Sequence, residues 1–319
     1  MSLGQIGQNI AKPAGQASAG MGSLHHVTAI ASDASVNAHF YSQILGLRLV
    51  KKSVNFDDPG SYHLYYGDHT GSPGSLMTFF IWPGRRPALR ADSVIHSVGF
   101  LIPAGTLELW QKRLANHSIA ARVVVGSANK PHLEFSDPDG LNIYLCQDGE
   151  ALGASGGGAE IIRIAGVTWN CRRPEKTTPL FLNILHYQPA PNRSADVLTS
   201  AGTPSTHIGL NRVTDLQPHS FGPGQIHHVA FRAADLHEQA HLAELLRSGG
   251  VNVTGVQPRK YFSSVYFVEP GGGICELATD GPGMSVDEPV HMLGTHLCLP
   301  DFLEPQRAEI TAALPSFDL

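Results

Sequence analysis

The sequence predicts an α+β protein of four βαβββ modules, forming two cup-shaped, half-barrel sheets with the helices on the outside. Three observations predict it. The order strand, helix, three strands recurs along the chain, two of the recurrences match residue against residue, and a Gly/Ala-rich stretch divides the chain near its middle. IHSVGF at 95–100 lies over IHHVAF at 226–231, and EFSDPDGLNIYL at 134–145 lies over YFVEPGGGICEL at 266–277. A repeat of roughly 50 to 70 residues marks modules whose open sheets must bury one face against a partner.

Residues 1–22 are rich in Gly, Ala, Gln and Ser without apolar periodicity, which predicts a mobile N-terminal tail. The first module, opening an N-terminal domain over 23–147, starts with LHHVTAI. There alternation sets His26, Thr28 and Ile30 on one face and His25, Val27 and Ala29 on the other. A helix capped by Asp33 or Ser35 and stopped by Gly46 follows, then strands at 47–54, YHLYYGD and SLMTFFIW. The second module runs from VIHSVGFLI through an amphipathic helix over 106–117 to HLEFSDPDGLNIYLCQD. Residues 148–160 form a Gly/Ala-rich linker to a C-terminal domain over 161–281. Its first half, IIRIAGVTWN to STHIGLNRV, shows no clear long amphipathic helix. The last module has strand 226–232, a helix opened by Asp235 with Glu238 as a capping box and stopped at Gly249-Gly250, and closing strands KYFSSVYFVEP and GICELATD. Residues 282–319 make a C-terminal extension with a short helix.

With 319 residues and 42% hydrophobic content, the chain can bury a sizeable core. A net charge of −5 without Lys/Arg blocks offers no field for nucleic acid. The longest apolar runs fall short of the ~20 residues that cross a membrane, and residues 1–22 lack a secretory pattern, so a cytoplasmic location is expected. The four cysteines form no CxxC pair and read as reduced thiols.

Chemistry concentrates in 225–280. Glu276 stands among Ile274, Leu277 and Ala278, where an ionised carboxylate is costly unless a cation or hydrogen bonds compensate it. Alternation puts Glu276 with Ala278, and His228 with Ala230, leaving room above the small residues. With His26 from the duplicated His-His phrase, they make the two-histidine, one-carboxylate set of non-haem Fe(II) oxygenases. The plainer reading is a core histidine bonded to a carbonyl and a Glu paired with Arg. In the second module Ser97 falls where His228 stands and Tyr144 where Glu276 stands, so that module keeps the scaffold without the ligands. One histidine of each pair points elsewhere, making His25 and His227 candidates for proton handling or for packing. Thr28, Arg259 and Tyr266 suit an anionic phenolic substrate, or equally strand filler, a surface cation and a core tyrosine.

The phrases LHHVTAI, DDPGSYHLYYGDHTGSPGSLMTFFIWPG, IHHVAFR, RKYFSSVYFVEPGGGICELATD and LGTHLCLPDFLEPQR carry a resemblance from Leu24 to about Leu314. The chain resembles the vicinal oxygen chelate superfamily (glyoxalase, bleomycin resistance protein and extradiol dioxygenase), and within it the hydroquinone ring-cleaving dioxygenases. The resemblance implies His26, His228 and Glu276 as metal ligands, with His25, Thr28, His227, Arg259 and Tyr266 on the substrate side; His25, His227 and Tyr266 would be catalytic. It implies Fe(II), with Mn(II) as the alternative, a small aromatic substrate and O2; the sequence leaves the oligomeric state open, a homo-oligomer among the alternatives. The expected activity is cleavage of a hydroquinone or catechol ring. The alternatives are a metal-dependent glyoxalase or isomerase of the same superfamily and a non-enzymatic binder of aromatic ligands.

Overall fold

The computed structural model describes residues 22–87, 93–126, 130–147, 160–191, 196–202, 204–216 and 221–317. The expected tail lies outside them except for Gly22, as does the expected linker except for Glu160. Four units share one order. The first has β1 (Leu24–Ala31), α1 (Ala34–Ala38) running on into a π-helical stretch His39–Ile44, β2 (Arg48–Asn55), β3 (Asp58–Gly67) and β4 (Leu76–Ile81). The second has β5 (Ile95–Ile102), α2 (Leu107–Asn116), β6 (Arg122–Val125), β7 (Pro131–Ser136) and β8 (Asn142–Gln147). The third has β9 (Arg163–Cys171), α3 (Pro174–Asn183), β10 (Tyr187–Pro189), β11 (Val197–Ser200) and β12 (His207–Arg212). The fourth has β13 (Ile226–Ala233), α4 (Leu236–Ser248), β14 (Gln257–Pro258), β15 (Ser263–Val268) and β16 (Ile274–Thr279), and α5 (Arg307–Ala313) lies in the extension.

The local signals act where they were read. Asp33 accepts from the Val36 amide and Asp235 from the Glu238 amide, and Gly46 and Gly250 adopt the left-handed backbone that follows a helix end. The third unit departs from expectation, because α3 is a ten-residue helix. Pro174 suits its first turn, while Pro179 inside it and a polar Thr177 on its buried face, beside Leu180 and Phe181, disguise the apolar spacing.

In every unit the first strand lies parallel to the last, and the third strand joins the last antiparallel to the second. Each unit therefore leaves its first strand with one open edge, and unpaired edges invite pairing. The edges are closed across the sequence halves. β1 pairs antiparallel with β13, and β5 pairs antiparallel with β9. One eight-stranded sheet thus reads β14-β15-β16-β13-β1-β4-β3-β2, from the fourth and first units, and the other β10-β11-β12-β9-β5-β8-β7-β6, from the third and second. The expected division at 23–147 and 161–281 does not coincide with the sheets: each sheet takes one unit from each half.

The first sheet curls strongly. Strands β15 and β3 are five places apart, about 24 Å along a flat sheet, yet the Tyr65 ring on β3 lies 5.9 Å from that of Tyr261, just before β15. The extension reinforces the curl. Fully buried Lys51 places its Nζ 2.6 Å from both Asp287 Oδ1 and Glu288 Oε2, and Tyr261 donates to Asp287 Oδ2. The cysteines of the described residues are free thiols. No helix among the described residues is long and apolar enough to cross a membrane.

Candidate metal centre

The β1/β13 seam builds the floor of the first cup. Its register sets Val27 opposite Val229, Thr28 opposite His228 and His26 opposite Ala230, with a ladder irregularity between Leu24 and His26. Such irregularities re-aim side chains. Ala230 neighbours Glu276 on β16, which neighbours Tyr266 on β15. The small side chain of Ala230 leaves the space that the two imidazoles and the carboxylate share. His26 Nε2 is 3.3 Å and His228 Nε2 3.1 Å from Glu276 Oε2, and one ligand atom from each residue lies within 4.8 Å of the other two.

The carboxylate is held asymmetrically. Ser264 donates to Oε1 at 2.5 Å, whereas Oε2, fully buried, has no partner in hydrogen-bonding geometry. Burial alone would raise the Glu276 pKa, but His26 and His228 hold it well below the usual carboxylate range. Burial lowers that of His228 and favours neutral imidazole. An ionised oxygen without a partner beside two imidazole nitrogens fits a cation: ligand atoms about 2.1 Å from a first-row metal lie roughly 3 Å apart when adjacent. Two histidines and one carboxylate also form the donor set suited to iron with open positions.

Each of the two histidine candidates is anchored by the histidine before it. His25 Nδ1 lies 2.9 Å from His26 Nδ1, and His227 Nδ1 lies 2.9 Å from His228 Nδ1. If Nε2 of His26 and His228 keeps its lone pair for a metal, their Nδ1–H groups donate to His25 and His227, which fixes both tautomers.

The free volume above this floor is about 40 Å³. His26, His228 and Glu276 line it, as do Arg259 and Tyr266; Phe80 and Phe262 form apolar walls, and His63 and Tyr65 close the β3 side. Arg259 donates to the Tyr266 hydroxyl at 3.3 Å and pairs with Asp57 of the β2–β3 turn at 3.1 Å, which ties the rim across the mouth. Burial pushes the Tyr266 pKa up, so its phenol is neutral. Three expected site residues lie behind the lining. His25 is buried against Phe262, and its pKa is lowered to about 3, chiefly by burial and then by His26. His227 packs against Phe80, Trp82 and Phe221. Thr28 is fully buried and bonds Thr78 at 2.8 Å.

His63 and Tyr65 escaped the sequence reading. Their signal was the alternation in YHLYYGD, which puts both on one face of β3. Asp57 carried no signal, since its partner is some two hundred residues away.

The second sheet repeats the frame without the donors. Gly99 pairs with Tyr144 as Ala230 pairs with Glu276, and Ser97 pairs with Thr168 as His228 pairs with Thr28. Its cup is open, with about 1290 Å³ of free volume lined in part by Ser97, Tyr144 and Glu134.

Residues 23–145 match the glyoxalase family, described as the Glyoxalase/Bleomycin resistance protein/Dioxygenase superfamily. MhqO of Bacillus subtilis (strain 168), assigned by name as a ring-cleaving dioxygenase, is 36% identical over 304 residues, 93% of this chain and 96% of that protein. The chlorohydroquinone/hydroquinone 1,2-dioxygenase of Sphingobium indicum is 29% identical over 305 residues, 90% of this chain and 94% of that protein. A crystal structure of a protein assigned as a dioxygenase from Bacillus subtilis subsp. subtilis str. 168 superimposes with a TM-score of 0.87 at 34% identity, covering 94% of this chain and 99% of that one. Maize glyoxalase I, at 14% identity and a TM-score of 0.62, shares the fold.

Proposed function

The chain belongs to the glyoxalase/bleomycin resistance/dioxygenase superfamily, and from that premise we propose that this enzyme opens the ring of a hydroquinone or catechol with O2, at an Fe(II) ion held by His26, His228 and Glu276. One observation carries the ligand assignment. Glu276 Oε2 is ionised, buried and without a hydrogen-bond partner, and two imidazole Nε2 atoms face it. The relatives carry the reaction class, since MhqO and the Sphingobium enzyme both bear ring-cleaving or hydroquinone dioxygenase names.

When bound, Fe(II) would supply Lewis acidity for a phenolic oxygen, open coordination positions and the redox capacity that O2 chemistry needs. The protein supplies the rest. Two neutral imidazoles and one carboxylate leave a divalent site near +1, which favours the phenolate form of a substrate hydroxyl. His25 and His227 hold the two imidazoles in a fixed tautomer, and Ser264 fixes the unused carboxylate oxygen. Tyr266 is a neutral phenol that can donate to a substrate oxygen, and the Arg259 cation beside it favours negative charge there. Phe80 and Phe262 present apolar faces to the ring and exclude water from it.

Anaerobic loading with Fe(II), followed by oxygen uptake with a panel of hydroquinones and catechols, tests the reading. One O2 consumed per ring opened is the expected result; a fully loaded protein that consumes none with any member of the panel overturns it. His228→Ala and Glu276→Ala should each purify with far less iron than wild type, and undiminished iron in both variants would remove the ligand assignment. Loading with Mn(II) in parallel establishes which metal supports turnover.

A further inference from the structure

The space above the metal floor is smaller than the ring it is proposed to take. A cavity of about 150 Å³ takes up one benzene ring, and a water molecule claims about 30 Å³. The free volume here is about 40 Å³. A diol ring therefore enters only if part of the wall moves, and the two sides of the wall are held unequally.

On the side of the fourth unit, the loop that carries Arg259 and Phe262 is pinned. The Arg259 amide donates to the Phe262 carbonyl at 2.9 Å, and Lys260 Nζ donates to the Leu299 carbonyl at 2.7 Å. Tyr261 ties the loop to Asp287 through its hydroxyl and accepts from the Gly283 amide, at 2.8 Å, through its carbonyl. On the side of the first unit, Asn55 pairs with Asp58, so Phe56 and Asp57 form the tip of the β2–β3 hairpin. The β2 strand ends its sheet, and the tip is bonded mainly to itself: Asn55 Oδ1 accepts from the Asp57 amide at 3.1 Å. Phe56 meets Phe302 edge-on at 6.2 Å between ring centroids, and Phe302 is 63% exposed. Asn55, Phe56 and Asp57 all line the pocket, and Asp57 is the exposed member of the lining. Among the described residues, the tip is joined to the far rim by the ion pair of Asp57 Oδ2 with Arg259 Nη2, at 3.1 Å.

We propose that the Asp57–Arg259 pair is a latch that holds the pocket in a closed form excluding the ring, and that substrate binds with the β2–β3 tip displaced. The inference rests on the reading that this cup takes an aromatic ring. Arg259 keeps its bonds to the Tyr266 hydroxyl and, at 2.7 Å, to Gln257 Oε1 when Asp57 leaves. Opening thus releases one N–H of the guanidinium beside the pocket without unseating the side chain. The side chains of the pair are 74% exposed at Asp57 and 20% at Arg259. An ion pair so wetted favours the closed form by about twofold to fivefold at low salt, and salt screens it. A ligand that binds only the open form loses up to that factor in apparent affinity. The latch is weak enough to open readily and strong enough to be measured.

Anaerobic stopped-flow binding of hydroquinone and of catechol to the Fe(II)-loaded protein tests this, at roughly 0.01 M and 1 M salt, where charges are screened beyond about 30 and 3 Å. Both diols are uncharged near neutral pH, so salt acts on the protein and not on the approach of the ligand. Asp57→Asn and Asp57→Ala should each bind both diols about twofold to fivefold more tightly than wild type at low salt. The gain should lie in faster association with dissociation unchanged, and should vanish at high salt, where wild type reaches the variants. Asp57→Glu, which keeps the charge, should stay with wild type. Iron content and circular dichroism equal to wild type establish that the variants are folded. Weaker binding by the Asn and Ala variants, which would make Asp57 a support for Arg259, overturns the latch, as does an affinity independent of the charge at position 57. A wild-type protein that binds the diols without consuming O2 refutes the ring-opening reading, while the same comparison still decides the latch. A wild-type protein that binds neither diol at either salt concentration overturns both.

Discussion

Two acidic residues at equivalent places of the repeat show how burial sets the character of a carboxylate. Asp137 and Glu269 both follow the third strand of their units and both hold the next turn: Asp137 Oδ1 accepts from the Asp139 and Leu141 amides, and Glu269 accepts from the Gly271 and Gly273 amides. Burial pushes the Asp137 pKa up to about 7. A raised carboxylate pKa stabilises the fold below the unfolded value near 4, and that contribution is lost as pH rises through 7. It is on the order of 4 kcal/mol at most, at about 1.4 kcal/mol for each tenfold change in proton affinity. Asp137→Asn keeps an oxygen that accepts from both backbone amides, and its Nδ2 can donate to Tyr41, whose hydroxyl in wild type donates to Oδ2 at 3.1 Å. The variant should match wild type near pH 4 and become progressively more stable than it toward pH 8, as measured by urea unfolding at several pH values; a pH-independent difference would show that Asp137 does not titrate in this range. None of this was legible in the sequence, where Asp137 is one acid of a DPDG turn. His26, His228 and Glu276 were legible because a duplicated phrase and a carboxylate among apolar neighbours are both improbable by chance. His63 and Tyr65 were not, since one strand with three tyrosines does not say which face meets a cup built by another unit.

Elements dock through the same turn. Glu269 reaches from the β15–β16 turn into the third unit, where Trp169 Nε1 on β9 and Thr177 Oγ1 on α3 donate to it at 3.1 and 2.7 Å. Asp137 makes the corresponding reach into the first unit, through Tyr41 of the π-helical stretch. Each turn thus fastens one sheet to a helix over the other. Glu269→Ala would strand the indole, a hydroxyl and two amides in a site that is 1% exposed. The expected loss is about 3–5 kcal/mol of unfolding free energy, read as a lower urea midpoint at unchanged slope; a loss under about 1 kcal/mol would mean that water replaces the carboxylate. Helix and strand order was readable because periodicity and caps are local. Helix α3 was obscured by Pro179, and the reach of Glu269 was hidden because a turn sequence carries no record of what lies on the far side of the core.

For the whole molecule, the seams matter more than the halves. The repeat was legible from residues 95–145 laid over 226–277, but the choice of partners was not, because four similar units can pair in more than one way and the deciding β1/β13 and β5/β9 contacts join strands of different units far apart in sequence. Fragments 1–147 and 160–319 each carry half of both sheets. Neither alone should bind iron, for His26 lies on one and His228 and Glu276 on the other, whereas the mixed fragments should associate and recover one iron per pair by gel filtration and metal analysis. A fragment that binds iron by itself would contradict the shared floor. The split ligand set has a further consequence for how stability is distributed. An ion held between β1 and β13 adds its binding free energy to whichever opening separates those strands, so slow amide exchange should deepen along the first sheet as iron is added and stay unchanged along β5 and β9. Iron loss would then loosen the protein along one line of backbone hydrogen bonds, and the apoprotein would part first at the seam that makes the site.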